Sequence, residues 1–171
     1  MKKNLVLTGM MGVGKSTIGK SLSDRLNMKF LDIDTIIENK ENMTITKIFE
    51  KKGEMYFRKI EEKITLEYLN KQNFVFALGG GAFNNFQIRT FVLKNCISFW
   101  LDLDLNSLFN RVSDSQRRPL LNKKNTKKTL SDLYEKRKKI YALANHKIDC
   151  NNRGKSLLID EIVKIYENKT N

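Results

Sequence analysis

The chain has 171 residues, the length of one compact domain with room for a substantial core, so a single domain over 1–171 is expected. Hydrophobic residues make up 40% against 30% charged, which excludes wholesale disorder, and no run approaches the roughly 18 apolar residues of a membrane span. The formal charge of +13 invites a nucleic-acid or membrane reading, but 24 of 32 basic residues are Lys and Asn occurs 18 times, a general compositional bias, so neither partner is expected.

Met1-Lys2-Lys3 ahead of an apolar run mimics a signal peptide, yet the run ends at Lys15 without a small-residue cleavage site, and a cytoplasmic chain is expected. Residues 4–8 read as a first strand and 16–26 as a helix. Between them Gly9-Met10-Met11-Gly12-Val13-Gly14-Lys15-Ser16 fits G-x-x-x-x-G-K-[ST]. Such a loop wraps phosphates with backbone N–H groups: glycine permits the close approach, and the helix N-terminus favours negative charge. Lys15 is expected on the β and γ phosphates, and the Ser16 hydroxyl on Mg²⁺.

A second strand, 29–33, runs into Asp32-Ile33-Asp34. Side chains two apart share a strand face, so both carboxylates can point toward the phosphates, one serving the metal and one the nucleophile. In the competing reading Asp34 caps a following helix. Helices are expected over 44–51 and 54–69. On the second, Arg58 lies three or four residues from Glu54, Glu61 and Glu62, neighbours that can fix its guanidinium. A surface salt-bridge ladder is the alternative, but with eight Arg against 24 Lys a geometric use of the planar fork is favoured.

Strand 74–78 ends in Gly79-Gly80-Gly81, three of only nine glycines, at the strand end where a ligand sits. A helix over 87–93 and a strand over 96–101 follow, then Asp102, which could take the place of the metal-binding carboxylate of motor ATPases. After a helix over 105–112, residues 113–128 are polar and basic and hold the only proline, Pro119, beside Arg118. They read as a mobile lid in which Arg117, Arg118, Lys123 and Lys124 repel one another until nucleotide phosphates relieve the repulsion. A helix over 130–144, a weak strand over 147–150 and a helix over 157–167 complete the chain. Strands alternating with helices predict an α/β fold, a parallel sheet with helices on both faces. The two cysteines, Cys96 and Cys150, and the one histidine, His146, are too few for a disulfide framework or an all-protein zinc site.

None of the nine Asp residues is followed by Gly at the third position, which argues against a GTPase. The remaining pattern resembles the shikimate kinase family of small P-loop kinases over nearly the whole chain. The resemblance rests on the loop with Ser16-Thr17 and Gly19, Asp32-x-Asp34, Gly53-Glu54-x-x-Phe57-Arg58-x-x-Glu61, Gly79-Gly80-Gly81-Ala82, Arg118-Pro119-Leu120-Leu121, and Arg137 before Tyr141. It implies a P-loop kinase fold with a five-stranded parallel sheet, a substrate region about 34–61 and a mobile lid. The implied reaction moves the γ-phosphoryl group of ATP to the 3-hydroxyl of shikimate, with Mg²⁺.

By the same resemblance Asp34, Arg58, Gly79, Gly80, Gly81 and Arg137 would hold shikimate, the two arginines on its carboxylate. Gly12, Val13, Gly14, Lys15, Ser16, Thr17 and Arg118 would serve the nucleotide, with Arg111 and Arg153 near adenine. Ser16 and Asp32 would serve the metal. Lys15, Asp34 and Arg118 would be catalytic, Asp34 orienting the hydroxyl and accepting its proton. The family's adenine loop often carries two Arg and a Pro where this chain has Asn151-Asn152-Arg153-Gly154. Other readings are a nucleotide monophosphate kinase, for which 34–61 offers no base reader, a gluconate-type sugar-acid kinase, and a basic RNA-binding module. With no obvious apolar seam, a monomer is expected.

Overall fold

The computed structural model describes residues 2–112 and 126–170. Five strands, β1 (Leu5–Thr8), β2 (Lys29–Asp32), β3 (Phe74–Ala77), β4 (Ile97–Asp102) and β5 (His146–Asp149), form one parallel sheet in the order β2-β3-β1-β4-β5. Central β1 pairs Leu5 with Val75 on one side and with Ile97 on the other, and all four of its residues are buried. A strand covered on both faces needs no polar alternation, which is why Leu-Val-Leu-Thr reads as an unbroken apolar run. After β1 the chain builds β2 and β3 on one side, then crosses to β4 and β5 on the other. The crevice of such a sheet opens at the carboxyl end where the direction reverses, here beyond β1.

The helices are α1 (Lys15–Leu26), α2 (Ile33–Glu41), α3 (Ile45–Leu69), α4 (Phe86–Asn95), α5 (Leu105–Val112), α6 (Thr126–Tyr141) and α7 (Lys155–Thr170). Among the described residues no helix is long and apolar enough to cross a membrane. Phe57, Ile88, Leu108, Ile162 and Tyr166 bury in the core that the helices share with the sheet, each such side chain contributing about 1.5–3 kcal/mol. At the opposite end from the crevice, buried Asn4 donates from Nδ2 to Leu69 O at 3.1 Å and Lys71 O at 2.6 Å and accepts from Phe74 N at 3.0 Å. One side chain thus ties the end of α3 to the start of β3.

Three sequence expectations are corrected. The pair Asp32 and Asp34 does not share a strand face. β2 stops at Asp32, whose carboxylate accepts from Thr35 N at 3.3 Å and caps α2, leaving Asp34 in that helix's first turn. The sequence placed no helix over α2, yet Ile33 and Ile37, four apart, bury its inner face. The capping role foreseen for Asp34 belongs to Asp32, while Asp34 gains from the positive end of the helix.

The two helices expected over 44–51 and 54–69 are both present within α3, parted as expected at Gly53, whose φ of 79° and ψ of 166° are not helical. A Cβ there would meet nothing within 4 Å, so glycine is required for its backbone conformation alone. The lid expected over 113–128 overlaps α6, which already begins at Thr126, and residues 113–125, with Arg117, Arg118, Pro119, Lys123 and Lys124, lie outside the described residues.

Candidate active site

Between β1 and α1 the loop takes positive φ at Gly9, Gly12 and Gly14, and Gly14 is the N-cap of α1. No side chain caps that helix and no acid stands in its first turn, so its positive end is left to a ligand. Lys15 curls over its own loop, Nζ donating to Gly9 O at 2.8 Å and Met10 O at 2.9 Å. Arg111, from α5, reaches Val13 O at 3.3 Å. Val13 buries its side chain and so offers the site its backbone, while Thr17 is exposed on α1. Arg153, after β5, donates to Asp149 O at 3.0 Å and pairs with Glu161 at 2.6 Å, an anchor on α7 the sequence did not suggest. Both guanidiniums are felt at the Cys150 thiol, although burial pushes that thiol up to about 11.

Ser16 donates its hydroxyl to the Asp32 carboxylate. Among the described residues no group of three His, Cys, Asp or Glu could hold a metal. The Ser16 hydroxyl and the Asp32 carboxylate are adjacent hard oxygens, the kind Mg²⁺ accepts beside its waters and phosphate oxygens. A transition metal would want more protein ligands.

Next to the loop, the glycine triplet after β3 is gripped on all sides. A Cβ on Gly79 would stand 2.7 Å from Asp34 Oδ1 and 2.7 Å from Glu61 Oε1; one on Gly81 would stand 2.6 Å from Arg58 Nη1. Gly80 O accepts from Arg137 Nη1 at 3.1 Å and from the Tyr141 hydroxyl, and a Cβ on Gly80 would lie 3.4 Å from Met11 N in the phosphate loop. Asp34, Arg58, Gly79, Gly80, Gly81 and Arg137, drawn from four stretches of chain, thus meet beside the phosphate loop. Arg118 lies outside the described residues.

Two arginines around one pocket demand counter-charge. Arg58 donates to Glu61 at 2.6 Å and to Glu54 at 3.2 Å. Burial opposes its charge, but Glu61 and then Glu54 outweigh it and hold the guanidinium above its ordinary range. Glu62, the third expected partner, instead accepts from Asn85 Nδ2 at 2.6 Å, because its position on α3 faces the start of α4. Glu61 was quoted in the motif but not assigned to the site, and it sits at its centre. Burial pushes its carboxyl up to about 7, the charge of Asp34 adds to this, and Arg58 and Arg137 oppose it. The Arg58-x-x-Glu61 spacing signalled the pair, but nothing local signalled its burial. Tyr141, a landmark in the sequence, is fully buried and bonds the Gly80 carbonyl that Arg137 also uses.

The model of the family described as shikimate kinase matches residues 11–167. A shikimate kinase of Sulfurihydrogenibium is 44% identical over 161 residues, covering 94% of this chain and 96% of that protein. Among solved structures, a shikimate kinase from Acinetobacter baumannii in complex with shikimate superposes with a TM-score of 0.95 at 33% identity, covering 99% of this chain and 95% of that one. The shikimate kinase from Aquifex aeolicus gives 0.85 at 34% identity, with 97% of each chain covered. Matched along nearly its whole length by family model, relatives and structures alike, the chain belongs to the shikimate kinase family.

Proposed function

We propose that this chain works as its family does, as an ATP-dependent kinase transferring the γ-phosphoryl group to the 3-hydroxyl of shikimate, and that its residues divide the labour as follows. Arg58 and Arg137 hold the shikimate carboxylate, and the backbone of Gly79, Gly80 and Gly81 lines the pocket between them. Asp34 orients the 3-hydroxyl and takes its proton as the oxygen attacks. Lys15 exchanges the carbonyls of Gly9 and Met10 for the β and γ phosphates, and the backbone N–H groups of residues 12–17 cradle the same phosphates. Arg111 and Arg153 flank adenine. Arg118 brings further positive charge to the phosphates. Ser16 and Asp32 would hold Mg²⁺, which when bound would neutralise charge on the transferring group. The chain acts in the cytoplasm as a monomer of one domain, with its substrate region over 34–61.

The observation that carries this reading is the meeting of Asp34, Arg58 and Arg137 around one glycine triplet whose central residue touches the phosphate loop. Phosphoryl transfer needs little covalent help from a protein; it needs two reactants side by side and charge around them, which this arrangement supplies. The test is ADP release with Mg-ATP and, in parallel, shikimate, quinate, gluconate and AMP. Release with shikimate and little with AMP or gluconate is expected. Equal rates on AMP would overturn the reading.

A further inference from the structure

Asp102 ends β4 where the sequence left room for a metal-binding carboxylate, and the structure occupies it otherwise. Its Oδ1 accepts from the Tyr134 hydroxyl at 3.0 Å, and its Oδ2 pairs with Lys147 Nζ at 2.9 Å. Lys147 in turn lies over the Trp100 ring, 4.7 Å from its centre. The carboxylate is thus engaged by a donor from α6 and a cation from β5.

Tyr134, Arg137 and Tyr141 are spaced by three and four residues, so they share one face of α6. Tyr134 reaches Asp102, while Arg137 and Tyr141 both reach Gly80 O. Arg137 is therefore bracketed by two tyrosines, one turn to either side, each tied to a different strand end. One tie leaves a helix free to roll about its axis. Two ties on one face fix the roll, and with it the direction of the arginine between them.

We infer that Tyr134 and Asp102 are positioning residues for Arg137: their hydrogen bond, backed by Lys147, sets the rotation of α6 and so aims the guanidinium at the pocket beside Gly80. This rests on the reading of Arg137 as a shikimate ligand. Burial, then the hydrogen bond to Asp102, pushes the Tyr134 hydroxyl up to about 12, so it remains a donor throughout the working range. Lys147 is more than half exposed, and its pair with Asp102 is too solvated to be explained as a stability device. A hydroxyl donating to a carboxylate is the stronger, directional contact.

Steady-state kinetics on full-chain variants test this. Tyr134→Phe and Asp102→Ala should each raise KM for shikimate about threefold to tenfold, with kcat, KM for ATP and the Mg²⁺ requirement nearly unmoved. The double variant should be no worse than Asp102→Ala, because both remove one bond. Asp102→Asn keeps an acceptor oxygen for Tyr134 and should rescue KM; this variant and Tyr134→Phe change shape so little that folding is preserved. A shifted Mg²⁺ requirement in Asp102→Asn would overturn the inference by making Asp102 a metal ligand. So would a Tyr134→Phe variant that loses thermal stability while KM for shikimate stays put and Arg137→Lys raises it. If Arg137→Lys itself leaves that KM unchanged, the reading of Arg137 fails, and the inference falls with it.

Discussion

Two glycine-rich turns follow neighbouring strands of the same sheet, and only one of them needs glycine for its backbone conformation. In the phosphate loop the residue supplies conformation throughout, since Gly9, Gly12 and Gly14 all stand at positive φ; at Gly14 a Cβ would meet only Ile18, 3.9 Å away, while at Gly9 and Gly12 space is needed as well, a Cβ standing 2.5 Å from Leu101 O and from Val112 Cγ1. In the triplet it supplies space: none of Gly79, Gly80 and Gly81 has positive φ, yet a Cβ on the first would run into Asp34 and Glu61 and one on the last into Arg58. The phosphate turn is a shaped backbone that presents N–H groups. The triplet is a gap into which charged side chains from other elements press.

The division between the halves is broken most severely at the two carboxylates that stand two residues apart. Asp34→Asn should lower kcat by about a hundredfold to ten-thousandfold with shikimate still bound, the usual range for removing a positioned base. Asp32→Asn should chiefly shift the Mg²⁺ requirement, since Asp32 accepts from Ser16 and lies on the phosphate side. Identical Mg²⁺ titrations for the two variants would erase the distinction.

Alanine at each kind of glycine comes next. Gly79→Ala should reduce kcat/KM for shikimate about a hundredfold by displacing Asp34, an effect of misplacement by about an ångström, and leave ATP affinity intact. Gly14→Ala should do the reverse, straining the backbone by about 1–3 kcal/mol and weakening ATP binding while KM for shikimate holds. Kinetics against each substrate, with melting curves, separate the two. Similar profiles would mean that both turns serve one purpose.

A smaller effect probes the charge packed around the triplet. The Glu61 carboxyl moves from 4.5 up to about 7 in the fold, so between those values the folded chain keeps a proton that the unfolded chain has lost. The stability from this group is therefore full below about pH 4.5 and declines as pH rises through about 7. Thermal midpoints across that window should fall with pH in the wild type more steeply than in Glu61→Gln. Parallel slopes would refute the buried carboxyl.

The smallest effect sharpens the conformational half. Asn27, Asn42, Asn73 and Asn152 stand at φ 50° to 66°, where Asn is tolerated, whereas Gly9, Gly12 and Gly14 stand at 81° to 137°. Asn42→Gly, at the end of α2, should change stability by less than about 1 kcal/mol, and Gly14→Asn should weaken ATP binding less than Gly14→Ala does. Chemical denaturation and nucleotide titration read the two outcomes.

The β/α alternation and the phosphate loop were legible because both are local: short apolar runs mark strands buried on both faces, and the loop motif is eight consecutive residues. α2 was not legible, since Ile33 and Ile37 follow β2 without a break and the paired carboxylates suggested a strand face. The break at Gly53 was legible as a gap between two helices, because a lone glycine there interrupts the apolar periodicity. Arg58 and Glu54 could be paired from spacing alone, but the burial of Glu61 depends on the triplet and on α6, which arrive from elsewhere in the chain. The Tyr134 contact with Asp102 spans 32 residues, and only the sheet brings them together.

β2 lies at the rim of the sheet, bonded to β3 alone, and none of its four residues is fully buried. Rim strands open more readily than central ones, in cooperative excursions short of complete unfolding. An excursion that peels β2 away carries off Asp32 and, through α2, Asp34, while β1 and its loop stay clamped between two neighbours. The molecule can thus forget its acceptor substrate before its donor: a partly opened chain would retain nucleotide yet be unable to spend it.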